Sequence, residues 1–278
     1  MKNIKSCHWL LSNLNHAVVL DCGMLKVGTQ GVYHPPGIIA GAKRFNIGQT
    51  FSDPDGRFPS TMCSAEQFQQ AARRLGINQR DTVIVYDNFG LFSAARAWWM
   101  FKAMGFEQVY VLDGGLVKWL ELGLPLAPEY THTSESGDFV AQPQYGYFID
   151  KAAVLAAIDD PRVLLLDARS PARFSGQESE PRAGMRSGHI PGSANVHYAS
   201  VLDSSGLLKP KAQLRALLSE AGVTSQALQF SCGSGITACI LAMIADECGY
   251  SPLSVYDASW SEWGQDPDVP IATLAPQS

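Results

Sequence analysis

Four segments from the first half of the chain recur, in the same order, in the second. "AVVLDC" (Ala17 to Cys22) matches "RVLLLDA" (Arg162 to Ala168), each a short aliphatic run with an aspartate near its end. "GIIAGAKRFNI" (Gly37 to Ile47) matches "GHIPGSANVHY" (Gly188 to Tyr198), and "TVIVYDNFGLFSAARAWWMF" (Thr82 to Phe101) matches "ALQFSCGSGITACILAMI" (Ala227 to Ile244). "VYVLDGGLVKWL" (Val109 to Leu120) matches "LSVYDASWSEWG" (Leu253 to Gly264). Paired positions keep a nearly constant spacing; Asp87 and Cys232, for example, lie 145 residues apart. Constant spacing marks a duplicated unit, here of roughly 125 to 130 residues, an ordinary domain size. Two domains are therefore expected, residues 1–128 and 147–278. The stretch "APEYTHTSESGDFVAQPQYG" (Ala127 to Gly146), rich in Ser, Thr, Gly and Pro, reads as the linker between them.

Within each copy, aliphatic runs such as "TVIVY", "VYVL" and "VLLLDA" alternate with "SAEQFQQAARRLG" or "PKAQLRALLSEAG". The latter space their apolar residues at helical intervals and end at a glycine. Continuous Val/Leu/Ile runs suit strands buried on both faces, and strands alternating with helices make a mostly parallel sheet. The fold class is α/β, each copy a mostly parallel sheet flanked by helices.

Composition narrows the function classes. With 46% hydrophobic and 17% charged residues, the chain has the make-up of a soluble globular protein. A net charge of −5 with no long basic run argues against nucleic acid. No apolar run approaches the roughly 20 residues that span a bilayer. The opening "MKNIKSCHWLLSNLNHAVVLDC" is too broken by polar residues for a signal peptide. A cytoplasmic location without membrane partners is the expectation. Six irregularly spaced cysteines, with no C-x-x-C pair, suggest neither a disulfide framework nor a zinc site, and no metal or organic cofactor is expected.

One cysteine stands apart. In "ALQFSCGSGITACILAMIADECG" a strand runs into a tight loop and then an apolar helix, and α/β sheets collect ligands at such junctions. Gly233 and Gly235 are expected to allow positive φ and close ligand approach, so that successive N–H groups converge. The helix start adds unpaired amides and a positive dipole end. Sulfur held there is stabilised as the anion, which makes Cys232 the candidate nucleophile. The loop lacks an arginine six residues after the cysteine, where Ala238 stands, so it has no guanidinium to hold a transferred phosphoryl group.

"CGSGITAC" (Cys232 to Cys239) resembles the active-site loop of the tandem-domain sulfurtransferases related to rhodanese. In particular it resembles the form found in 3-mercaptopyruvate sulfurtransferases. "GHIPGSAN" (Gly188 to Asn195) and "YDASWSEWG" (Tyr256 to Gly264) are similar to two further rhodanese signatures, with Ala258 in place of the usual glycine. The resemblance implies two rhodanese-like domains, the first without a nucleophile because Asp87 takes the place of Cys232. It also implies that Arg173 and Arg182, in "ARFSGQESEPR", bind the carboxylate and ketone of the donor. The alternative from residues alone is a pair of surface ion pairs with Glu178 and Glu180. Ser234 resembles a proton-relaying serine; Thr237 is either a site hydroxyl or a helix cap. Gly233, Gly235, Ile236 and Thr237 are expected to line the substrate. Asp167 and His189 read as structural, and Cys239 and Cys248 as buried.

Members of this group that use mercaptopyruvate often complete a relay with an aspartate and a histidine from the first domain. Here Asn46 stands at the first position and Gly56 or Arg57 near the second. The relay is absent, and an Arg57 pointing into the cleft would shift donor preference toward thiosulfate. The resemblance thus implies transfer of sulfur from a small-molecule donor, 3-mercaptopyruvate, to a thiol such as thioredoxin or a small thiol, or to cyanide, through a Cys232 persulfide. The alternatives are a thiosulfate:cyanide sulfurtransferase and a non-catalytic persulfide carrier.

Overall fold

The computed structural model describes residues 1–274, so residues 275–278 of the expected second domain lie outside the described residues. The first half runs β1 (Ile4–Lys5), α1 (Cys7–Asn13), β2 (Ala17–Asp21), β3 (Ile38–Ile39), β4 (Lys43–Arg44) and α2 (Ala65–Arg74). It continues with β5 (Thr82–Tyr86), α3 (Ala94–Ala103), β6 (Val109–Leu112), α4 (Gly115–Glu121) and β7 (Leu126–Ala127). The second half runs β8 (Phe148–Ile149), α5 (Lys151–Ala157), β9 (Val163–Asp167), α6 (Pro171–Ser175) and β10 (Ala194–Asn195). After a 3₁₀ turn at Tyr198–Val201 come α7 (Lys211–Glu220), β11 (Ala227–Ser231), α8 (Ala238–Cys248), β12 (Leu253–Tyr256) and α9 (Trp260–Trp263).

The duplication is visible in the strand order. One sheet is ordered β1-β6-β5-β2-β4 and the other β8-β12-β11-β9-β10, the same arrangement with each strand replaced by its counterpart. Every pair in both sheets is parallel. The aliphatic runs are β5, β6 and β9, and helices cover the faces of the central strands β5 and β11; Val83, Ile84, Val85, Leu228 and Phe230 are at most 1% exposed. Helix α2 is capped by Ser64, whose hydroxyl accepts from the Gln67 N–H, and its chain leaves through Gly76 at φ +68°. Among the described residues no helix is long and apolar enough to cross a membrane.

The halves meet along α3 and α8, which pack on each other and merge the main cores of both halves into one cluster. Both helices are apolar on nearly every side, as burial from all directions requires. Two buried charges interrupt them: Arg96, fully buried in the first turn of α3, and Glu247 near the end of α8.

In the second sheet the chain passes from β9 to β10 on one side, then crosses to β11 on the other. That reversal opens a crevice at the carboxyl ends of β9 and β11. Ser231 and Asp167 are paired at those ends, so Cys232 and Ala168 leave the sheet side by side.

Candidate active site

The first half shows what this loop does with an anion. One Asp87 carboxylate oxygen accepts from the N–H groups of Phe92, Ser93 and Ala94 at 2.7–2.9 Å, and the other accepts from Phe89 at 2.9 Å. Four main-chain donors at a strand–loop–helix junction thus close on one buried negative group. In the second half, 145 residues on, Ser234 and Thr237 take the places of Phe89 and Phe92. Their N–H groups donate to no protein acceptor among the described residues. Two of the four positions that close on Asp87 thus present free N–H groups in the loop that begins at Cys232.

The loop is pinned from behind by the start of α9. The Cys232 N–H donates to Ser259 Oγ at 3.2 Å, and the Cys232 carbonyl accepts from the Trp260 N–H at 3.0 Å. The Gly233 carbonyl accepts from both the N–H and the hydroxyl of Ser261, at 2.9 and 2.6 Å. Ser259 is held at φ +52°, ψ −143°, a strained conformation for a residue with a side chain. Its hydroxyl also donates to the Tyr256 carbonyl at 2.7 Å, which fixes it there. From the other half, Arg96 donates to the Gly235 carbonyl at 3.3 Å, the Ser60 carbonyl at 2.7 Å and the Asp257 carboxylate at 2.6 Å.

Cys232 is 2% exposed, yet it lines a cleft of about 540 Å³ between the halves. The same cleft is lined by Gly233, Ser234, Ile236, Thr237, Arg173 and Arg182. Seven of the eight residues singled out in the sequence therefore share one wall. Gly235 is the exception. A Cβ there would sit 2.3 Å from the Asp257 carbonyl oxygen, and its own carbonyl is taken by Arg96 and by the Cys239 thiol, so this residue anchors the loop rather than touching substrate. Of the two loop glycines, only Gly235 has positive φ, at +71°; Gly233 does not need it. Thr237 makes no capping hydrogen bond and leaves its hydroxyl on the cleft wall.

The two arginines differ. Arg173 is paired with the Glu180 carboxylate, and Glu180 also accepts from Arg169 at 2.7 Å. The Glu180 side chain is 1% exposed, so this is a buried network and not the surface pairing that the residues alone allowed. Arg169 in turn grips Asp167 through its Nε and Nη2, and holds the Gly188 carbonyl at 2.8 Å. Asp167 is structural, as is His189, whose Nδ1 lies 2.8 Å from the Phe174 carbonyl and whose ring stacks on Phe174. Among the described residues Arg182 has no carboxylate partner; it donates to Ser261 Oγ at 2.9 Å. Burial first, and Arg173 beside it, lower its guanidinium from the ordinary value, while charge on Cys232 and Glu180 acts to raise it. Arg182 and Cys232 are thus electrostatic neighbours.

Arg57 does not enter this cleft. It lies with Phe58, Lys151 and Asp266 in a separate depression, so it adds no charge near Cys232. Asn46 also stays out, its amide donating to Gln49 at 3.0 Å. The first half instead contributes Met24 to Thr29, Pro59, Ser60 and Phe92. Sequence reasoning missed Lys26, Arg96, Ser259 and Ser261. Arg96 had a signal, a charge among the apolar residues that open a helix; Lys26, in an irregular loop, had none.

The model of the rhodanese-like domain matches the chain twice, at residues 6–122 and 150–266. The thiosulfate/3-mercaptopyruvate sulfurtransferase 1 of Arabidopsis thaliana is 36% identical over 255 residues, covering 82% of this chain. The alignment spans only 65% of that longer relative's length. The 3-mercaptopyruvate sulfurtransferase of Mus musculus is 39% identical over 228 residues, covering 81% of this chain and 76% of the mouse protein. The crystal structure of SseA from Escherichia coli superimposes with a TM-score of 0.83 at 32% identity, covering 94% of this chain and all of SseA.

Proposed function

As the chain belongs to the rhodanese-like domain family and carries that domain twice, we propose that it is a sulfurtransferase that takes sulfur from 3-mercaptopyruvate, through a persulfide on Cys232. Arg182, with Arg173 beside it, holds the donor's carboxylate and ketone and brings its sulfur to Cys232. The Cys232 thiolate attacks that sulfur; the carbon–sulfur bond breaks, and its electron pair leaves on the pyruvate enolate, which takes up a proton. The persulfide left behind is stabilised by the loop amides, Ser234 and Thr237 among them. An acceptor, either cyanide or a thiol such as thioredoxin or a small thiol, then attacks the outer sulfur and restores the Cys232 thiolate. Ser234, on the same wall, is the hydroxyl available to relay the proton.

The observation that carries this reading is the placement of Cys232, Arg173 and Arg182 on one cleft whose lining contains no carboxylate. Thiosulfate is the second donor to consider. Among the described residues Arg182 and Lys26 have no acidic partner, which favours a dianion, and the Arabidopsis relative is named for both donors. The cysteines are all unpaired, in keeping with a reducing compartment such as the cytoplasm.

Pyruvate release from 3-mercaptopyruvate, measured together with the mass gain of one sulfur atom on Cys232, tests the reaction. One pyruvate per persulfide is expected. Turnover of thiosulfate with no pyruvate from 3-mercaptopyruvate would replace the proposed donor.

The arginine assignment has its own test. Arg182→Ala removes a charged donor with no competing acid among the described residues and should weaken 3-mercaptopyruvate binding by about 1.5–3 kcal/mol, or roughly 10- to 150-fold in KM. Arg173→Ala should have the smaller effect, because Glu180 already occupies part of its fork. Equal effects of both substitutions on steady-state KM would contradict the asymmetry described above.

A further inference from the structure

The charges around the cleft do not cancel. Arg169 and Arg173 are balanced by Asp167 and Glu180, which leaves Arg182 on the wall of the second half and Lys26 on that of the first. Lys26 is exposed and has no carboxylate partner among the described residues. Its Nζ lies 4.3 Å from the ring centroid of Phe89 and 5.5 Å from that of Phe92, and Phe92 itself lines the cleft. Ring faces hold an exposed ammonium only weakly, so this charge remains available to an incoming anion. The loop that carries it, residues 22–37, has no regular structure and turns through Gly28 and Gly31 at φ +87° and +110°.

The geometry of the sulfur transfer gives Lys26 a role. Displacement at sulfur is in line: the attacking thiolate, the outer sulfur and the leaving Cys232 sulfur lie along one axis. Cys232 belongs to the second half, so the attacking group comes from across the cleft, where the first half forms the wall. A cleft of about 540 Å³ is in the range that holds drug-sized ligands. A small α-keto acid leaves most of it open. We propose that Lys26 is a specificity-determining residue for the acceptor step, binding the carboxylate of a small anionic thiol. This rests on the sulfurtransferase reading above. In the step itself the acceptor thiolate bonds to the outer sulfur and the sulfur–sulfur bond to Cys232 breaks. Cys232 takes the electron pair and leaves as thiolate, and the product is the acceptor's persulfide, with no net oxidation.

The test follows that half-reaction alone. Full-length enzyme is loaded with sulfur, the load is checked by mass, and persulfide decay is timed with 3-mercaptopropionate and with uncharged 2-mercaptoethanol, each rate expressed per thiolate. Wild type should favour the anionic thiol. Lys26→Gln should reduce that preference about fivefold, Lys26→Arg should keep it, and added salt should weaken it in wild type. An unchanged preference in Lys26→Gln overturns the proposal, as does a preference lost only in Arg182→Ala. Loading with thiosulfate as well as 3-mercaptopyruvate keeps the two readings apart. If only thiosulfate loads the enzyme, the proposed donor is wrong while the acceptor test still runs.

Discussion

Cys232→Ser is expected to lower kcat/KM for sulfur transfer by on the order of 10³-fold or more, with no persulfide detectable by mass. A serine hydroxyl is a far weaker nucleophile toward sulfur and cannot hold the transferred atom. Folding should survive, since the hydrogen bonds that pin this residue run through its N–H and carbonyl to Ser259 and Trp260, and both remain. The other cysteines offer no substitute. Burial pushes the Cys7 and Cys63 thiols up to about 11 and Cys239 up to about 12, and it also raises Cys22 and Cys248. Raised thiols stay protonated at neutral pH, and none of these five lines the cleft. Persulfide formation or ordinary turnover in the serine variant would mean that the nucleophile lies elsewhere.

The repeat made most of the architecture legible before any coordinates. Duplicated aliphatic runs become duplicated parallel strands because a strand buried on both faces has little choice of neighbours. The position of Cys232 at a crevice follows from strand order alone. What sequence could not supply were the contacts that loops make once folded. Gly235 reads as a ligand-facing glycine until the Asp257 carbonyl is found packed against it, and that carbonyl lies beyond the next strand. Arg57 reads as a candidate cleft cation by alignment, yet its loop turns it toward Lys151 and Asp266. Glu180 was visible as a partner for Arg173, but its burial, and its sharing with Arg169, depend on where β9 ends. Asp87 carried the most transferable information. A carboxylate held by four N–H groups at the site matching Cys232 shows that this turn binds negative charge even where the nucleophile is gone.

The second large effect is expected at Arg96, which touches no substrate. Its guanidinium is fully buried and spans the halves, with Asp257 as its charge partner and the carbonyls of Ser60 and Gly235 as further acceptors. The ring of Phe148 covers it at 4.4 Å. The Asp257 carboxylate stays largely buried, bonded to the Met62 N–H at 2.8 Å. Arg96→Ala therefore leaves a poorly solvated carboxylate, a Ser60 carbonyl without its donor, a Gly235 carbonyl with only the weak Cys239 thiol, and a cavity in α3. Breaking a buried pair from one side costs about 3–5 kcal/mol, a large share of the stability of an ordinary domain. Arg96→Lys should recover only part of it, because a single ammonium cannot meet three acceptors set in different directions. Activity should fall beyond what lost stability explains: with only the Cys239 thiol left on it, the Gly235 carbonyl is held less firmly, and the loop that carries Cys232 loses its tie to the first half. Urea unfolding would measure the first effect. Single-turnover persulfide formation, at a temperature where the variant is fully folded, would measure the second. A variant with wild-type stability and a wild-type loading rate would show that the halves and the loop are held by apolar packing between α3 and α8 alone.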